Sequence, residues 1–182
     1  MSLITDDVLD LLKFLDDGGI KWVIAGGYAR DLKYGRMPKD LDIHIIMDLE
    51  AFLAIDNYLY KRKLGVPHGS GPMYEELDRV SGVLKMVGNV DLVFWKNVST
   101  TQELVDNFDL NLNQYVYDVE TGTVHFAGTN EGEVRITRPY EVNRIKRIQK
   151  MIGIAEGIGW ECYALRKALI EQMDKYGVPV QQ

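Results

Sequence analysis

Cysteine and histidine are scarce in this 182-residue chain, which has one cysteine, Cys162, and three histidines. One cysteine excludes an internal disulfide. One cysteine with three scattered histidines also excludes a thiolate or imidazole zinc cluster. Any metal site in this protein must therefore be built from oxygen ligands.

Long apolar runs are also missing, since none approaches the roughly 20 residues of a membrane-spanning helix. The first residues are acidic, where a secretory signal would be basic, so we expect a cytoplasmic protein with no membrane partner. The net charge of −6 argues against broad nonspecific binding to nucleic acid but allows a local basic surface. At 182 residues, 46% of them hydrophobic, the chain can bury the core of one domain, or of one domain with a helical appendage.

Hydrophobic periodicity predicts an α+β fold. Residues 20–25 read as a strand that ends at Gly26-Gly27 and is followed by a short helix. Further strands are predicted over 40–47, near 79–87 and 90–95, and as a late pair, LNLNQYVYDV and GTVHFAG, around Thr121-Gly122. Helices are predicted from Thr5, over about 49–64, in TTQELVDNF, and from Tyr140 onward with an interruption around Gly153 to Gly159.

Two aspartates on the predicted strand DLDIHIIM carry the first chemical signal. Strand side chains alternate, so Asp40 and Asp42 share a face with their Cα atoms about 6 to 7 Å apart, and they can converge on a divalent cation. Asp91, in the strand NVDLVFWK, alternates with apolar residues, which is unusual for a carboxylate unless it is paired or binds metal. We predict Asp40, Asp42 and Asp91 as catalytic and metal-binding residues for Mg²⁺ or Mn²⁺. His44 shares this face but is not included in the metal site.

The glycine pair Gly26-Gly27 gives a second signal. Bare backbone N–H groups at the start of a helix can closely approach a triphosphate. A glycine pair alone is a weak signal, but one that precedes an acid-x-acid strand by about a dozen residues predicts phosphates held over the metal-binding acids. The predicted reaction class is nucleotidyl transfer.

The stretch AGGYARDLKYGRMPKDLDI resembles the head-domain signature of class II CCA-adding enzymes and bacterial poly(A) polymerases, in the DNA polymerase beta-like nucleotidyltransferase superfamily. This resemblance implies a polymerase-beta-like nucleotidyltransferase (palm) fold with a short C-terminal helical extension, divided as a head domain 1–139 and an extension 140–182. It assigns the metals to Asp40 and Asp42, makes Asp91 the third acid and Lys96 a basic neighbour. The implied nucleotide-binding residues are Gly26, Gly27, Arg30, Arg36, Lys39, Asp109, Arg144 and Arg147.

Two further segments extend the resemblance. DLNLNQYVYD is similar to a family motif, which implies a ribose-side role for Asp109 and a structural role for Asn113. Asn107-Phe108 departs from that motif, because the family has two arginines there. EVNRIKRIQK resembles a family helix with an acid and spaced basic residues, implying that Glu141, Arg144, Arg147 and Lys150 face a triphosphate or RNA.

Three functions remain open from the sequence. The first is transfer of NMP from an NTP, ATP or CTP, to the 3′ hydroxyl of RNA or tRNA with release of pyrophosphate. The second is modification of a protein or small molecule by the same chemistry, which the acidic charge favours. The third is a catalytically idle nucleotide- or RNA-binding module, which Asn107-Phe108 favours and the three aspartates oppose. The oligomeric state is not predicted.

Overall fold

The computed structural model describes residues 3–46, 49–66, 80–138 and 145–177. Within these ranges the chain forms six helices, one 3₁₀ turn and six strands, in the order α1 (Asp6–Asp17), β1 (Lys21–Ala25), α2 (Gly27–Lys33), β2 (Leu41–Ile46), α3 (Leu49–Arg62), β3 (Val80–Met86), β4 (Val90–Trp95), α4 (Thr101–Asp106), 3₁₀ turn (Asn111–Asn113), β5 (Tyr115–Asp118), β6 (Thr123–Phe126), α5 (Ile145–Gly157) and α6 (Tyr163–Lys175). This arrangement confirms the predicted α+β class.

The strands form one mixed sheet in the order β3-β4-β2-β1-β5-β6. Only the central β2–β4 pair is parallel among these strands, and it aligns Asp42 with Asp91. β1 runs antiparallel to β2, with Ile24 opposite Ile43. The two strands that carry the predicted catalytic acids are therefore direct neighbours.

The two faces of the sheet differ in what covers them. One face presents apolar residues of β1, β2 and β4 to α1 and α3, and it forms a core that includes Ile43, Ile45, Leu92 and Phe94, all fully buried. The spacing of Val8, Leu11, Leu12 and Leu15 explains why α1 buries one side there, as predicted for an amphipathic helix. Thr5 caps α1 by accepting a hydrogen bond from the Val8 amide.

The opposite face is apolar at one end and acidic at the other. Val23, Val93 and Trp95 pack there beneath α4 and Phe108, while Asp42 and Asp91 follow on the same face of β2 and β4 because side chains alternate along each strand. α4 therefore covers only the apolar end of this face.

A third cluster joins the C-terminal helices to the rest of the chain. Residues of α5 and α6, including Ile148, Met151 and Leu165, pack with Ala29 of α2 and Tyr115 of β5. This cluster crosses the predicted boundary at residues 139 and 140, which itself lies outside the described residues.

The predicted element boundaries need small corrections. Asp40 lies just before β2 rather than inside it, and Asn111 to Asn113 form a 3₁₀ turn where a strand was predicted. α5 continues through Gly153, which has no positive φ and has open space around it. The helix ends at Gly157 instead. Within the described ranges, no helix is both long and apolar enough to cross a membrane.

Candidate active site

Asp42 is the centre of the acidic cluster. It lies level with Asp91 on the neighbouring parallel strand, and Asp40 precedes it by two residues. The pKa of Asp42 is raised from 3.8 to about 6, first by burial and then by the negative charges of Asp91 and Asp40. Asp91 and Asp40 therefore both lie close enough to Asp42 to act on its charge. A half-buried acid with two like-charged neighbours favours a bound cation.

Asp91 has a partner that the sequence analysis did not identify. Lys85 lies directly opposite it on β3, and its ammonium donates to both carboxylate oxygens at 3.0 and 2.9 Å. Lys85 also lowers the pKa of Asp42, as does Lys150 of α5. In the described ranges, no group of three His, Cys, Asp or Glu side chains is arranged to hold a metal ion.

The glycine turn lies at the same end of the sheet. β1 and β2 are antiparallel, and Ile24 is opposite Ile43. Ala25, at the end of β1, therefore lies beside Asp42. Gly26 follows with φ +90° and ψ −140°, a conformation that side chains disfavour, and caps the N-terminus of α2. The first N–H groups of a helix have no acceptor within it, so this turn can accept an anion near the acids.

Arg30 is buried, and its donors are engaged. Its Nε and Nη2 donate to Asp31 at 2.9 and 2.7 Å, and its Nη1 donates to Asn113 at 2.8 Å. Asn113 in turn donates to Asp109 at 3.4 Å. The structure thus places Arg30 in a network that ties α2 to the 3₁₀ turn, while its predicted contact with nucleotide stays a prediction.

Asp109 ends this network at α5. It is 7% exposed, and its Oδ2 accepts from Arg147 Nε at 2.6 Å. Arg147 keeps 39% of its side chain exposed. Two residues predicted from separate motifs are therefore in direct contact, which the sequence alone did not indicate.

Neither the family models nor the curated protein sequences give a match to this chain. Solved structures do match it. A tRNA-processing enzyme in an apo form shares 17% identity with a TM-score of 0.59, over 98% of this chain and 48% of that one. A tRNA nucleotidyltransferase complexed with a primer tRNA and an incoming ATP analog shares 16% identity with a TM-score of 0.59, over 91% of this chain and 50% of that one.

The CCA-adding enzyme of Thermotoga maritima, complexed with tRNA, matches with 19% identity and a TM-score of 0.59, over 96% of this chain and 44% of that one. The chain has the polymerase-beta-like nucleotidyltransferase fold. It spans about half the length of these solved structures. At these identities the likeness shows the nucleotidyltransferase fold alone.

The departure at Asn107-Phe108 has a structural explanation in this nucleotidyltransferase fold. The Phe108 ring packs 5.2 Å from the His44 ring and 6.0 Å from the Trp95 ring, measured between centroids. Asn107 accepts a hydrogen bond from Arg138 at 2.5 Å. Phe108 thus closes the apolar end of the acidic face, and a guanidinium lies beside position 107 although the chain has no arginine there.

His44 belongs to this apolar end rather than to the acids. Its Nδ1 accepts a hydrogen bond from Trp95 Nε1 at 3.0 Å. Its Nε2 is buried without a regular hydrogen bond. Burial lowers the pKa of His44 from 6.5 to about 4, so the ring is neutral at physiological pH. His44 is thus a packed residue of the apolar end, in contact with Trp95 and Phe108.

The remaining predicted residues of the nucleotidyltransferase fold are more peripheral. Arg36 and Lys39 are exposed in the segment between α2 and β2, and the Arg36 guanidinium lies close to Gly157 at the end of α5. Lys96 is exposed after β4. Glu141 and Arg144 lie outside the described residues. The pairing of Lys85 with Asp91 had a signal in the sequence. The two residues lie three positions on either side of Gly88, a typical turn residue, and in the structure Gly88 has a positive φ in the hairpin between β3 and β4.

Proposed function

We propose that this chain is the catalytic region of a metal-dependent nucleotidyltransferase. It would move NMP from an NTP, ATP or CTP, to the 3′ hydroxyl of an RNA, with tRNA as the first candidate, and release pyrophosphate. The observation that carries the proposal is the alignment of Asp42 with Asp91 on adjacent parallel strands, next to the Gly26 turn. An acidic cluster beside a phosphate-binding turn is the arrangement that nucleotidyl transfer needs.

The acidic residues fit a divalent cation. Asp40 is exposed and Asp42 half-buried, so their oxygens can reach both a cation and a substrate, and both are the hard ligands that Mg²⁺ and Mn²⁺ prefer. A cation held there would lower the pKa of the attacking hydroxyl and neutralise charge on the transferred phosphate. The raised pKa of Asp42 supports this assignment, because the like charges around it are relieved by a cation.

Other residues of the chain would bind and orient the nucleotide. α2 begins where β1 ends, beside the acids, so the backbone N–H groups of its first turn would bind the triphosphate there. Lys150 lies close enough to Asp42 to lower its pKa, so it can also contact a phosphate bound over the acids. Arg147, paired with Asp109 and more than one third exposed, would be a further phosphate contact.

The acceptor is proposed from the structural neighbours. These include a tRNA nucleotidyltransferase bound to a primer tRNA and an incoming ATP analog, and CCA-adding enzymes bound to CTP or to tRNA. These names support an RNA acceptor for a chain with the same fold and leave transfer to a protein or small molecule as the alternative. Phe108, at a position where the related motif has an arginine, packs on His44 and Trp95, so the fold accommodates this difference.

The decisive experiment is incubation of the protein with α-labelled ATP or CTP, Mg²⁺ or Mn²⁺, and total tRNA, followed by gel autoradiography. Labelled RNA is the expected product. Asp42→Asn should reduce labelling by more than about 100-fold, because losing a direct metal ligand costs more than losing a group that only supports one. The matched control is Asp174→Asn on the exposed side of α6, which should label RNA like the unaltered protein.

Other results would assign another function. Label on protein or on a small metabolite, lost in Asp42→Asn, would favour the second transferase function over RNA extension. Nucleotide binding without transfer to any acceptor, equal in Asp42→Asn, would contradict catalysis and support the idle module.

A further inference from the structure

The outward side of α3 carries an apolar row that is largely exposed. Leu49, Leu53 and Tyr60 are 68%, 59% and 81% exposed, and their spacing of four and seven residues puts them on one side of the helix. The opposite side of α3 packs on the sheet through Ile55 and Leu59, which are buried. Three large apolar side chains in one exposed row are typical of an interaction surface.

A polar row lies beside the apolar one on α3. It consists of Glu50, Ala54, Asn57 and Lys61, which follow each other at helical spacing and are all exposed. The polar row thus begins with an acid, has two uncharged side chains in the middle and ends with a base. The ion pairs among the described residues include neither Glu50 nor Lys61. Both charges are therefore available to a partner.

The polar row is complementary to itself in charge. When a second copy of α3 is laid antiparallel on the first, with a two-fold axis between Ala54 and Asn57, Glu50 of each copy lies level with Lys61 of the other. Two opposite-charge pairs form at once, and the small side chain of Ala54 lets the helices approach closely at the centre. A parallel arrangement would instead bring like charges together.

The apolar row fits the same two-fold axis. Because the residues of a helix rise evenly along it, Tyr60 lies as far from this axis in one direction as the gap between Leu49 and Leu53 lies in the other. The Tyr60 ring of each copy would therefore enter the gap between the two leucines of the other copy, as a knob enters a hole. Charged and apolar side chains thus select the same antiparallel alignment, and this agreement identifies the partner as a second copy of the chain.

We propose that α3 is the self-association surface of this protein, and that two copies pair antiparallel through it. Asp42 and Asp91 lie on the opposite face of the sheet, so the acids stay open in the dimer and the inference does not depend on the proposed transferase function. A helix of 14 residues is about 21 Å long and about 10 Å wide. This is less than the roughly 800 Å² per partner of a standard interface, so we expect dissociation in the micromolar range.

The test is analytical ultracentrifugation over a range of protein concentrations. The unaltered protein should change from monomer to dimer as its concentration rises. Leu53→Glu should raise the dissociation constant by at least about tenfold, because it buries two carboxylates in the apolar contact. The matched control is Ile170→Glu, which alters a 49% exposed apolar residue of α6 and should leave association unchanged.

Charge reversal tests the antiparallel alignment itself. Glu50→Lys and Lys61→Glu should each weaken association, because each variant places like charges level with one another at two points. The double variant restores opposite charges and should associate within about twofold of the unaltered protein. An apolar surface that associates without a fixed alignment would not show this rescue. Circular dichroism would establish that each variant is folded.

Three results would overturn the inference. The first is a monomer at every concentration, which would leave the outward side of α3 to a different partner. The second is a dimer that Ile170→Glu dissociates and Leu53→Glu does not, which would place the interface on α6. The third is a double charge variant that associates no better than the single ones.

The fate of the dimer and that of the proposed function can be told apart. Leu53→Glu should label RNA like the unaltered protein, because α3 lies on the face of the sheet away from the acids. A dimer that labels no acceptor would contradict the proposed function and leave this inference standing, whereas a monomer that labels RNA would do the reverse.

Discussion

Gly26 is the residue at which β1 turns into α2, and its backbone conformation is its main property. At φ +90° and ψ −140°, a side chain is strained even though nothing lies within 4 Å of an added Cβ atom. We expect Gly26→Ala to lower the free energy of unfolding by about 1–3 kcal/mol. Urea denaturation followed by circular dichroism measures the change.

The control for this prediction is another glycine with equally open surroundings. Gly153 lies inside α5, without a positive φ and with nothing within 4 Å of an added Cβ atom. Gly153→Ala should stabilise the protein by about 0.5–1 kcal/mol, because alanine favours a helix. Equal effects of the two substitutions would show that backbone strain at Gly26 is absent.

His44 gives the protein a predictable response to acid. The folded protein lowers the pKa of this imidazole to about 4, whereas the unfolded chain keeps it near 6.5. Below pH 6.5 the unfolded chain therefore binds more protons, so stability falls as the pH drops from 6.5 towards 4 and is unaffected by this group above that range. The loss can reach about 3 kcal/mol.

The measurement is the free energy of unfolding from pH 8 to pH 4 in the unaltered protein and in His44→Gln, which keeps an acceptor for Trp95. The difference between the two proteins should change with pH only below about 6.5. His125→Gln, on the exposed side of β6, should keep the acid response of the unaltered protein. A parallel pH dependence for His44→Gln would refute the assignment.

At the scale of the elements, the sequence predicted the features that depend on the alternation of side chains within one strand. Alternation in DLDIHIIM places Asp42 and His44 on one face, and NVDLVFWK repeats the pattern at Asp91, so each of the two strands was predicted to have a polar face. The register that aligns Asp42 with Asp91 comes from the structure. The boundary of α5 was less accurate, because a glycine with free space around it ends a helix only when the backbone also turns there.

Contacts between distant elements could not be predicted in this way. Arg30 is 83 residues from Asn113, and no periodicity in one sequence indicates that they meet. The role of Phe108 was also hidden, because its packing on His44 depends on where α4 lies on the sheet. Sequence patterns report which side of an element is apolar, but they do not report which element covers it.

The Asp109–Arg147 contact is another long-range link, which joins α5 to the segment before the 3₁₀ turn. We expect Asp109→Asn to lower the free energy of unfolding by about 1–2 kcal/mol, less than for a fully buried pair because Arg147 is more than one third exposed. A double-mutant cycle with Arg147→Met, measured by urea denaturation, isolates the interaction between the two side chains.

Asp10→Asn provides the comparison for an ordinary surface pair. Asp10 accepts from Arg62 at 3.0 Å with both side chains about half exposed, so its loss should cost less than about 1 kcal/mol. If Asp109→Asn and Asp10→Asn cost the same, the network from Arg30 to α5 does not stabilise the fold.

At the scale of the whole molecule, the C-terminal helices share their core with the sheet. Trp160 packs with Tyr115 and Phe126 and donates a hydrogen bond to Tyr34 of the segment after α2 at 2.7 Å. Tyr34 in turn bonds to Tyr115 at 2.9 Å. Helices that bury apolar surface against α2 and β5 should not unfold separately from them.

Three tryptophans allow this prediction to be tested. Trp22 lies on β1, Trp95 on the acidic face of β4, and Trp160 between α5 and α6. In variants that keep one tryptophan each, with phenylalanine at the other two positions, urea denaturation followed by fluorescence should give coincident midpoints and equal slopes. A separate transition of Trp160 would instead mark residues 140–182 as an independent unit, in line with the boundary predicted from sequence. The expected single transition follows because the surface that Trp160 buries belongs to the same cluster as Ala29, which sits just after the Gly26 turn.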